Sequence, residues 1–208
     1  MPHSVCIIGN GPSAAKESNG QFIDRCDVVI RMGNYVIDGY EDCVGSKTDV
    51  YVSRWKKLER NFDRVRKIDI WLAYPSPPHD WCSHYPGVAS THRNSRAVKD
   101  LNVTYIPEDV QLAYKDIYYP YNGLLATSSD RRCNFNIPDT GTVAIDMACY
   151  IFTNSKIYVT GFDGYFLDTG YYFNRQRQLY KDYVNVSPIL QQYTQFKKLV
   201  STKRINVL

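Results

Sequence analysis

The sequence lacks any run of eighteen apolar residues, so it holds no ordinary membrane-spanning helix. No basic stretch followed by a long apolar core opens the chain, and the first apolar run, Val5 to Ile8, is only strand length. No secretory leader is therefore expected, and the expectation is a cytoplasmic protein. No two of the six cysteines (Cys6, Cys26, Cys43, Cys82, Cys133 and Cys149) stand in Cys-x-x-Cys spacing, and none joins a histidine at zinc-ligand spacing. They read as reduced thiols, mostly filling the core. Charge of either sign is nearly balanced: 25 Lys and Arg against 21 Asp and Glu leave +4. That suits an anionic ligand and is too weak to argue for nucleic acid. Histidine is scarce, with four in all and none beyond His92. No repeat, low-complexity segment or linker divides the chain.

What is present is the material of one α/β domain, residues 1–208. That length carries a sizeable core, and 44% hydrophobic with 22% charged residues is ordinary for a globular protein. Short apolar runs predict strands near 4–9, 27–32, 48–53, 69–74, 102–106, 156–161 and 205–208. Helical patterning is read at 13–18, 56–66, 142–152 and 189–202. The Pro- and His-rich stretch 75–86 reads as a loop, and 118–137 as a loop or lid. Alternation of strand and helix predicts a mainly parallel sheet covered on both faces. Eighteen tyrosines, many of them late in the chain, offer flat apolar faces with a hydroxyl tip. Such rings suit sugar and nucleotide contacts and are equally the mark of a Tyr-rich composition.

The opening carries the densest signal. Val5-Cys6-Ile7-Ile8 runs into Gly9-Asn10-Gly11-Pro12-Ser13-Ala14, a buried strand ending in a glycine turn. Read as Gly-x-Gly-x-x-Ala this suggests a dinucleotide fold, which needs an acidic residue at the end of the second strand to hold the ribose. That strand ends instead in Arg31-Met32-Gly33-Asn34, which weakens an NAD reading and leaves an NADP variant using Arg31 open. Gly45-Ser46-Lys47-Thr48 is not a phosphate-binding P-loop. Serine separates the glycine from the lysine, position 40 is tyrosine, and a strand rather than a helix follows.

Together these segments resemble the large sialylmotif of sialyltransferases. The motif runs from an apolar strand into Gly-Asn-Gly/Ser, then Gly-x-x-Ile-Asp-x-x-Asp-x-Val-Ile-Arg-Met, then Gly-Phe/Tyr-Glu-x-x-Val-Gly-x-Lys-Thr. Here it is matched by Gly20 to Met32 and by Gly39 to Thr48. Pro138-Asp139-Thr140-Gly141 through Val159-Thr160-Gly161-Phe162 resembles the small sialylmotif, whose pattern is Pro-Ser-Thr-Gly, a helix, a strand and Gly-Phe. The resemblance covers roughly residues 4–54 and 136–208. It implies a single α/β/α Rossmann-like domain with a mainly parallel sheet, the sialyltransferase-like variant of the GT-A class. It also implies an enzyme: inverting transfer of a sugar, sialic acid first, from a CMP-activated donor to a hydroxyl of a glycan or glycolipid. A CMP-Kdo or other nucleotide-sugar donor stays open, as does a non-catalytic nucleotide-sugar or glycan-binding module. A homo-oligomer is left open.

For donor binding the resemblance and the turn chemistry select Gly9, Asn10, Gly11, Pro12, Ser13, Arg31, Asn34, Ser53, Asp139, Thr140, Gly141, Gly161 and Phe162. Backbone amides and small hydroxyls at two helix starts are the groups a nucleotide phosphate needs. No cofactor and no metal ligand is expected. The chain has no Asp-x-Asp pair, and the resemblance implies that tyrosine hydroxyls meet the departing phosphate, here Tyr165 and Tyr171. The resemblance further implies a base histidine before the last helix, with an acid five residues on. Those positions are Ser187 and Gln192, and neither residue can do that work as written. The remaining candidates for the base are His79, His84 and His92 in the middle of the chain, or a carboxylate among Asp163, Asp168 and Asp182. Gly33 also departs from the pattern, which has asparagine there; Asn34 follows one residue later. Arg131 and Arg132 are candidates for an acidic acceptor or the donor carboxylate, and equally for solvated loop charges.

Overall fold

A computed structural model of the protein describes residues 1–53, 65, 67–72, 102–105, 139–163, 170–174 and 187–208. Within them lie seven strands: β1 (Ser4–Ile8), β2 (Val28–Met32), β3 (Val50–Ser53), β4 (Asp69–Leu72), β5 (Val103–Tyr105), β6 (Lys156–Thr160) and β7 (Ile205–Val207). They form one sheet in the order β5-β4-β3-β2-β1-β6-β7, and every pairing is parallel. From β1 the chain builds outward to β5 on one side. It then returns to place β6 against the other flank of β1. The strand order therefore reverses between β1 and β6, and the crevice beyond their carboxyl ends is where ligands of open parallel sheets sit.

The helices are α1 (Gly20–Arg25), α2 (Glu41–Val44), α3 (Thr140–Ile151) and α4 (Ser187–Ser201). Period-two alternation splits each central strand between two layers. Val5, Ile7, Ile30, Met32, Val50 and Val52 pack with Val143, Ala144, Met147 and Ala148 of α3, and with Phe196, Leu199 and Val200 of α4. Cys6, Ile8 and Val29 face the other way, against Ala14, Ile23 of α1 and Val44 of α2. Tyr51 and Ile70 extend that second layer with Tyr35 and Val65.

Helix α3 forms where an N-cap precedes an apolar run. Asp139 is extended (φ −60°, ψ 163°), and its carboxylate accepts from the Thr142 N–H at 2.9 Å. Its far end is closed by Arg204, whose guanidinium donates to the carbonyls of Cys149 (2.8 Å), Phe152 (3.0 Å) and Ser155 (3.3 Å). Burial in this layer pushes the Cys149 thiol up to about 11. Helix α4 starts at Ser187-Pro188, two residues before the expected Ile189. Proline is compatible with a first turn because the N–H it lacks has no partner there.

The seven expected strands all form, most of them a residue or two shorter at their ends. The helix expected over 13–18 is instead a single 3-10 turn, Pro12–Ala15, because Gly20 must already begin α1. Helix α1 was not expected; six residues opening on glycine carry little periodic signal. The expected helix over 56–66 lies outside the described residues, apart from Val65.

Candidate nucleotide site at the switch point

Four pieces distant in sequence meet beyond the ends of β1, β2 and β6. The turn after β1 is sewn to the turn after β6: Gly9 N–H donates to Thr160 O at 2.8 Å, and Gly11 N–H to Gly161 O at 2.9 Å. The two backbones approach so closely that a Cβ on Gly9 would collide with the carbonyl of Gly161. Gly161 also lies at φ +75°, in the left-handed region glycine favours. The Phe162 ring then fills the space between Gly9 and Gly141. A Cβ on Gly9 would stand 3.3 Å from its Cδ2, and one on Gly141 2.9 Å from its Cε1. Phe162 stacks on Phe196 of α4 at 6.0 Å. The Gly141 site also abuts the Met32 sulfur at 3.5 Å, which brings the end of β2 to the start of α3.

Asn10 sits at the centre of this junction. Its Nδ2 donates to the Met32 carbonyl at 3.1 Å, and its own carbonyl accepts from the Tyr172 N–H at 3.0 Å. Because the Met32 partner is a carbonyl, the nitrogen must face it and Oδ1 must face away. Oδ1 is buried and has no hydrogen-bond partner among the described residues. A buried acceptor without a donor is costly, about 1–3 kcal/mol, unless a ligand group or water meets it. Arg31 Nη1, a donor, is the other buried side-chain polar atom without a partner among the described residues. An acceptor calls for a hydroxyl or an amino group, the polar edge of a nucleoside rather than its phosphate.

Three of the amides expected to meet phosphate at the glycine turn are engaged within the fold. Gly9 and Gly11 donate to β6 and its turn, and Ser13 N–H donates to Asp163 Oδ2 at 3.0 Å. The Ser13 hydroxyl accepts from Gly161 N–H at 3.2 Å, and Pro12 is buried at the first position of the 3-10 turn. Asp163 thus caps the turn that follows β1, and the same contact takes up one oxygen of a candidate base.

Arg31, expected at the donor, is 0% exposed and points into the layer opposite α3, where most of its donors brace the backbone. Its Nη2 donates to Val44 O (2.6 Å) and Gly45 O (2.9 Å), and its Nε to Lys47 O (3.0 Å) and Thr48 Oγ1 (3.1 Å). Burial lowers its pKa from the usual arginine range, partly offset by Tyr172, Tyr35 and Asp24. Lys47 likewise serves the fold. Its ammonium donates to Cys26 O at 2.7 Å and Asp27 O at 2.8 Å, and it pairs with Asp49 at 3.3 Å. The rejection of a P-loop there stands.

Gly33, where the resembling pattern has asparagine, lies at φ +61°. Asparagine and glycine are the residues that most readily adopt that conformation, so the exchange keeps the turn. Asn34 is exposed beyond it, and Ser53 is buried at the end of β3, two strands from β1.

At the start of α3, Thr140 and Gly141 occupy the first two helical positions, where the amide dipoles point outward. Gln192 of α4 was expected only as a lost acid, yet it anchors this helix start. Its Oε1 accepts from Asp139 N–H and from Thr142 Oγ1, both at 3.0 Å. Tyr171 is half-buried, bridged to Asn174 and stacked on Phe173 at 5.1 Å. Tyr165, Asp168, His79, His84, His92, Asp182, Arg131 and Arg132 lie outside the described residues. Among the described residues, no three His, Cys, Asp or Glu side chains gather into a metal-binding set, and no helix is long and apolar enough to cross a membrane.

The model of glycosyltransferase family 29 (sialyltransferase) matches residues 3–203. The CMP-N-acetylneuraminate-beta-1,4-galactoside alpha-2,3-sialyltransferase of Mus musculus is 29% identical over 180 residues, 78% of this chain and 45% of its own. The Homo sapiens protein of that name is 28% identical, over 78% and 44%. The chain spans less than half the length of these curated relatives. A mammalian sialyltransferase in complex with Gal-beta-1-3GalNAc-ortho-nitrophenol superposes with a TM-score of 0.60 at 17% identity, covering 99% of this chain and 68% of that one. The sialyltransferase CstII of Campylobacter jejuni, in complex with a substrate analogue, gives 0.53 at 16%, over 98% and 78%. These two likenesses establish the fold.

Proposed function

The chain belongs to glycosyltransferase family 29, the sialyltransferases, and from that membership we propose that it transfers sialic acid from a CMP-activated donor to a hydroxyl of a glycan or glycolipid. The observation that carries the reading is Asn10 Oδ1, a buried acceptor without a partner at the strand-order reversal, where both motif turns converge. In this reading Asn10 takes a hydroxyl or amino group of the nucleoside. The phosphate lies against the Thr140 and Gly141 amides, with Tyr165 and Tyr171 supplying hydroxyls as it departs. The acceptor oxygen attacks the anomeric carbon from the face opposite the CMP, so configuration inverts. No metal is required, and transfer should survive EDTA.

Deprotonation of the acceptor is assigned to a residue other than Ser187. Asp168, His79 and His84 are the candidates, because Asp163 is tied to Ser13. Serine at position 187 supports a second reading, a module that binds nucleotide sugar without transferring it.

Calorimetric titration with CMP, UDP and GDP, followed by incubation with CMP-sialic acid or CMP-Kdo and a galactoside acceptor, tests both. CMP selectivity with sialyl transfer supports the first reading. CMP binding without hydrolysis or transfer from any donor supports the second, and transfer from CMP-Kdo alone moves the donor assignment. Preference for UDP or GDP refutes the CMP site.

A further inference from the structure

We infer that Tyr172 is a positioning residue of the nucleotide site, acting through Asn10; the inference rests on the CMP reading above. Neither motif nor resemblance singles it out. The structure makes it the point where three parts of the site are tied together. Its side chain is 4% exposed. Its N–H holds the Asn10 carbonyl at 3.0 Å. Its hydroxyl accepts from Val36 N–H at 3.2 Å and donates to the Val36 carbonyl. Its ring meets Tyr40 edge-on at 5.0 Å and Phe173 at 4.9 Å. One residue thus joins the segment after β6, the turn after β2 and the turn after β1.

The consequence falls on Asn10. With its carbonyl held by Tyr172 and its Nδ2 held by Met32, both ends of the residue are fixed and Oδ1 has one direction left. An acceptor fixed before the ligand arrives gives up no rotamer freedom on binding, which raises affinity. The hydroxyl of Tyr172 is what fixes the anchor, because the Val36 amide and carbonyl take it from both sides. Tyr171, one residue away along the same anchored backbone, is held in the same neighbourhood. Tyr172 touches no reacting atom in this account. It acts by holding Asn10 and the backbone beside Tyr171.

Tyr172→Phe keeps the ring and removes the hydroxyl. A double-mutant cycle with Asn10→Ala, read as CMP affinity by calorimetry, separates positioning from general stability. Expected is about tenfold weaker CMP binding for Tyr172→Phe, the scale of one hydrogen bond, and no further loss when it is added to Asn10→Ala. In turnover, KM for the CMP donor should rise while the acceptor KM holds. Losses that multiply across the two variants, or a Tyr172→Phe protein that binds CMP like wild type, overturn the inference and leave the CMP site intact. A wild-type protein that does not bind CMP overturns both. If Tyr172→Phe does not fold, amide hydrogen exchange on the wild type decides. CMP should slow the Val36 and Tyr172 amides, and unchanged exchange at Tyr172 overturns the inference.

Discussion

Replacing Arg31 with methionine tests whether the arginine that closes β2 serves the fold or the ligand. Methionine has similar reach and no donor. The substitution strips a charged partner from Val44 O, Gly45 O and Lys47 O and from the Thr48 hydroxyl. Val44 and Gly45 are buried, so water does not replace what is lost. A buried acceptor left without its donor costs about 1–3 kcal/mol, and hydrogen bonds to charged groups stand at the upper end. Against this, the guanidinium no longer has to be desolvated, the effect that lowers its pKa in the folded protein. With three carbonyls and one hydroxyl each losing a charged donor, and the guanidinium's desolvation relieved, the net cost should be about 3–5 kcal/mol. For a chain of this size that lowers Tm by roughly 6–20 °C. Arg31→Lys keeps the charge, loses the planar fork and should fall between. Calorimetric melts give the stability change, and CMP titration well below the transition gives the ligand effect, which should be within twofold of wild type. An Arg31→Met protein that melts like wild type but no longer binds CMP would refute the reasoning and return Arg31 to the donor site.

Asp24 receives the amides of Ser46 and Lys47 and the Ser46 hydroxyl at 2.8–3.0 Å. Slight burial opposes its ionisation, but these donors outweigh it and its pKa is lowered. Its stabilisation is therefore full above the ordinary carboxylate value and lost as pH falls through the lowered one. Asp24→Asn should flatten the acid limb of Tm against pH, and an unchanged limb counts against the contact. Lys203, at φ +57°, ends α4 with Lys203 N–H on Val200 O and Arg204 N–H on Leu199 O, the paired closure that favours glycine. Lys203→Gly should stabilise by about 0.5–1 kcal/mol, the left-handed cost of a side chain less the chain entropy of glycine, with activity unchanged. Gln192→Leu leaves Asp139 N–H without its acceptor, takes from Thr142 Oγ1 the nearer of its two, and should cost about 1–3 kcal/mol by chemical denaturation. Gln192→Glu sets a second carboxylate on the Thr142 hydroxyl and should also destabilise; adding Asp139→Ser should recover most of the loss, and additive losses refute the coupling.

The strand pattern was legible because central parallel strands are buried on both faces and read as unbroken apolar runs between turn residues. The meaning of the large motif was less so. Its most specific residues (Asp24, Asp27, Arg31, Lys47 and Thr48) hold one another and the backbone between α1, α2 and β3, in the layer facing away from α3. Asp27 takes the amides of His3 and Ser4, which lower its pKa although it is exposed. A linear pattern marks which residues cannot vary, and ligand contact and backbone bracing leave the same mark. The difference lies in the side of the strand. Arg31 and Met32 are neighbours in sequence, yet Met32 faces the Gly141 helix start and Arg31 the opposite layer. Tyr172 was illegible for a related reason. Its partners, Asn10 and Val36, are 162 and 136 residues away, and no spacing rule connects them.

Departures from the pattern read differently in three dimensions than in a line. Taken singly, asparagine to glycine at 33, serine to aspartate at 139 and acid to glutamine at 192 look like three losses. Gly33 keeps a left-handed turn that asparagine also permits. The other two face each other. Asp139 Oδ2 and Gln192 Oε1 both receive the Thr142 hydroxyl, at 3.3 and 3.0 Å, across the contact between the start of α3 and α4. The pattern places a hydroxyl on the α3 side and a carboxylate on the α4 side. This chain places the carboxylate on the α3 side and a neutral acceptor on the α4 side. In this chain one side-chain carboxylate meets the Thr142 hydroxyl at the positive end of α3, where it is worth about 0.3–1 kcal/mol, and a second carboxylate on that same hydroxyl would repel it. Glutamine at 192 is then what an aspartate at 139 requires. The exchange at this junction is compensated across the contact, which leaves Ser187 as the departure that bears on the chemistry.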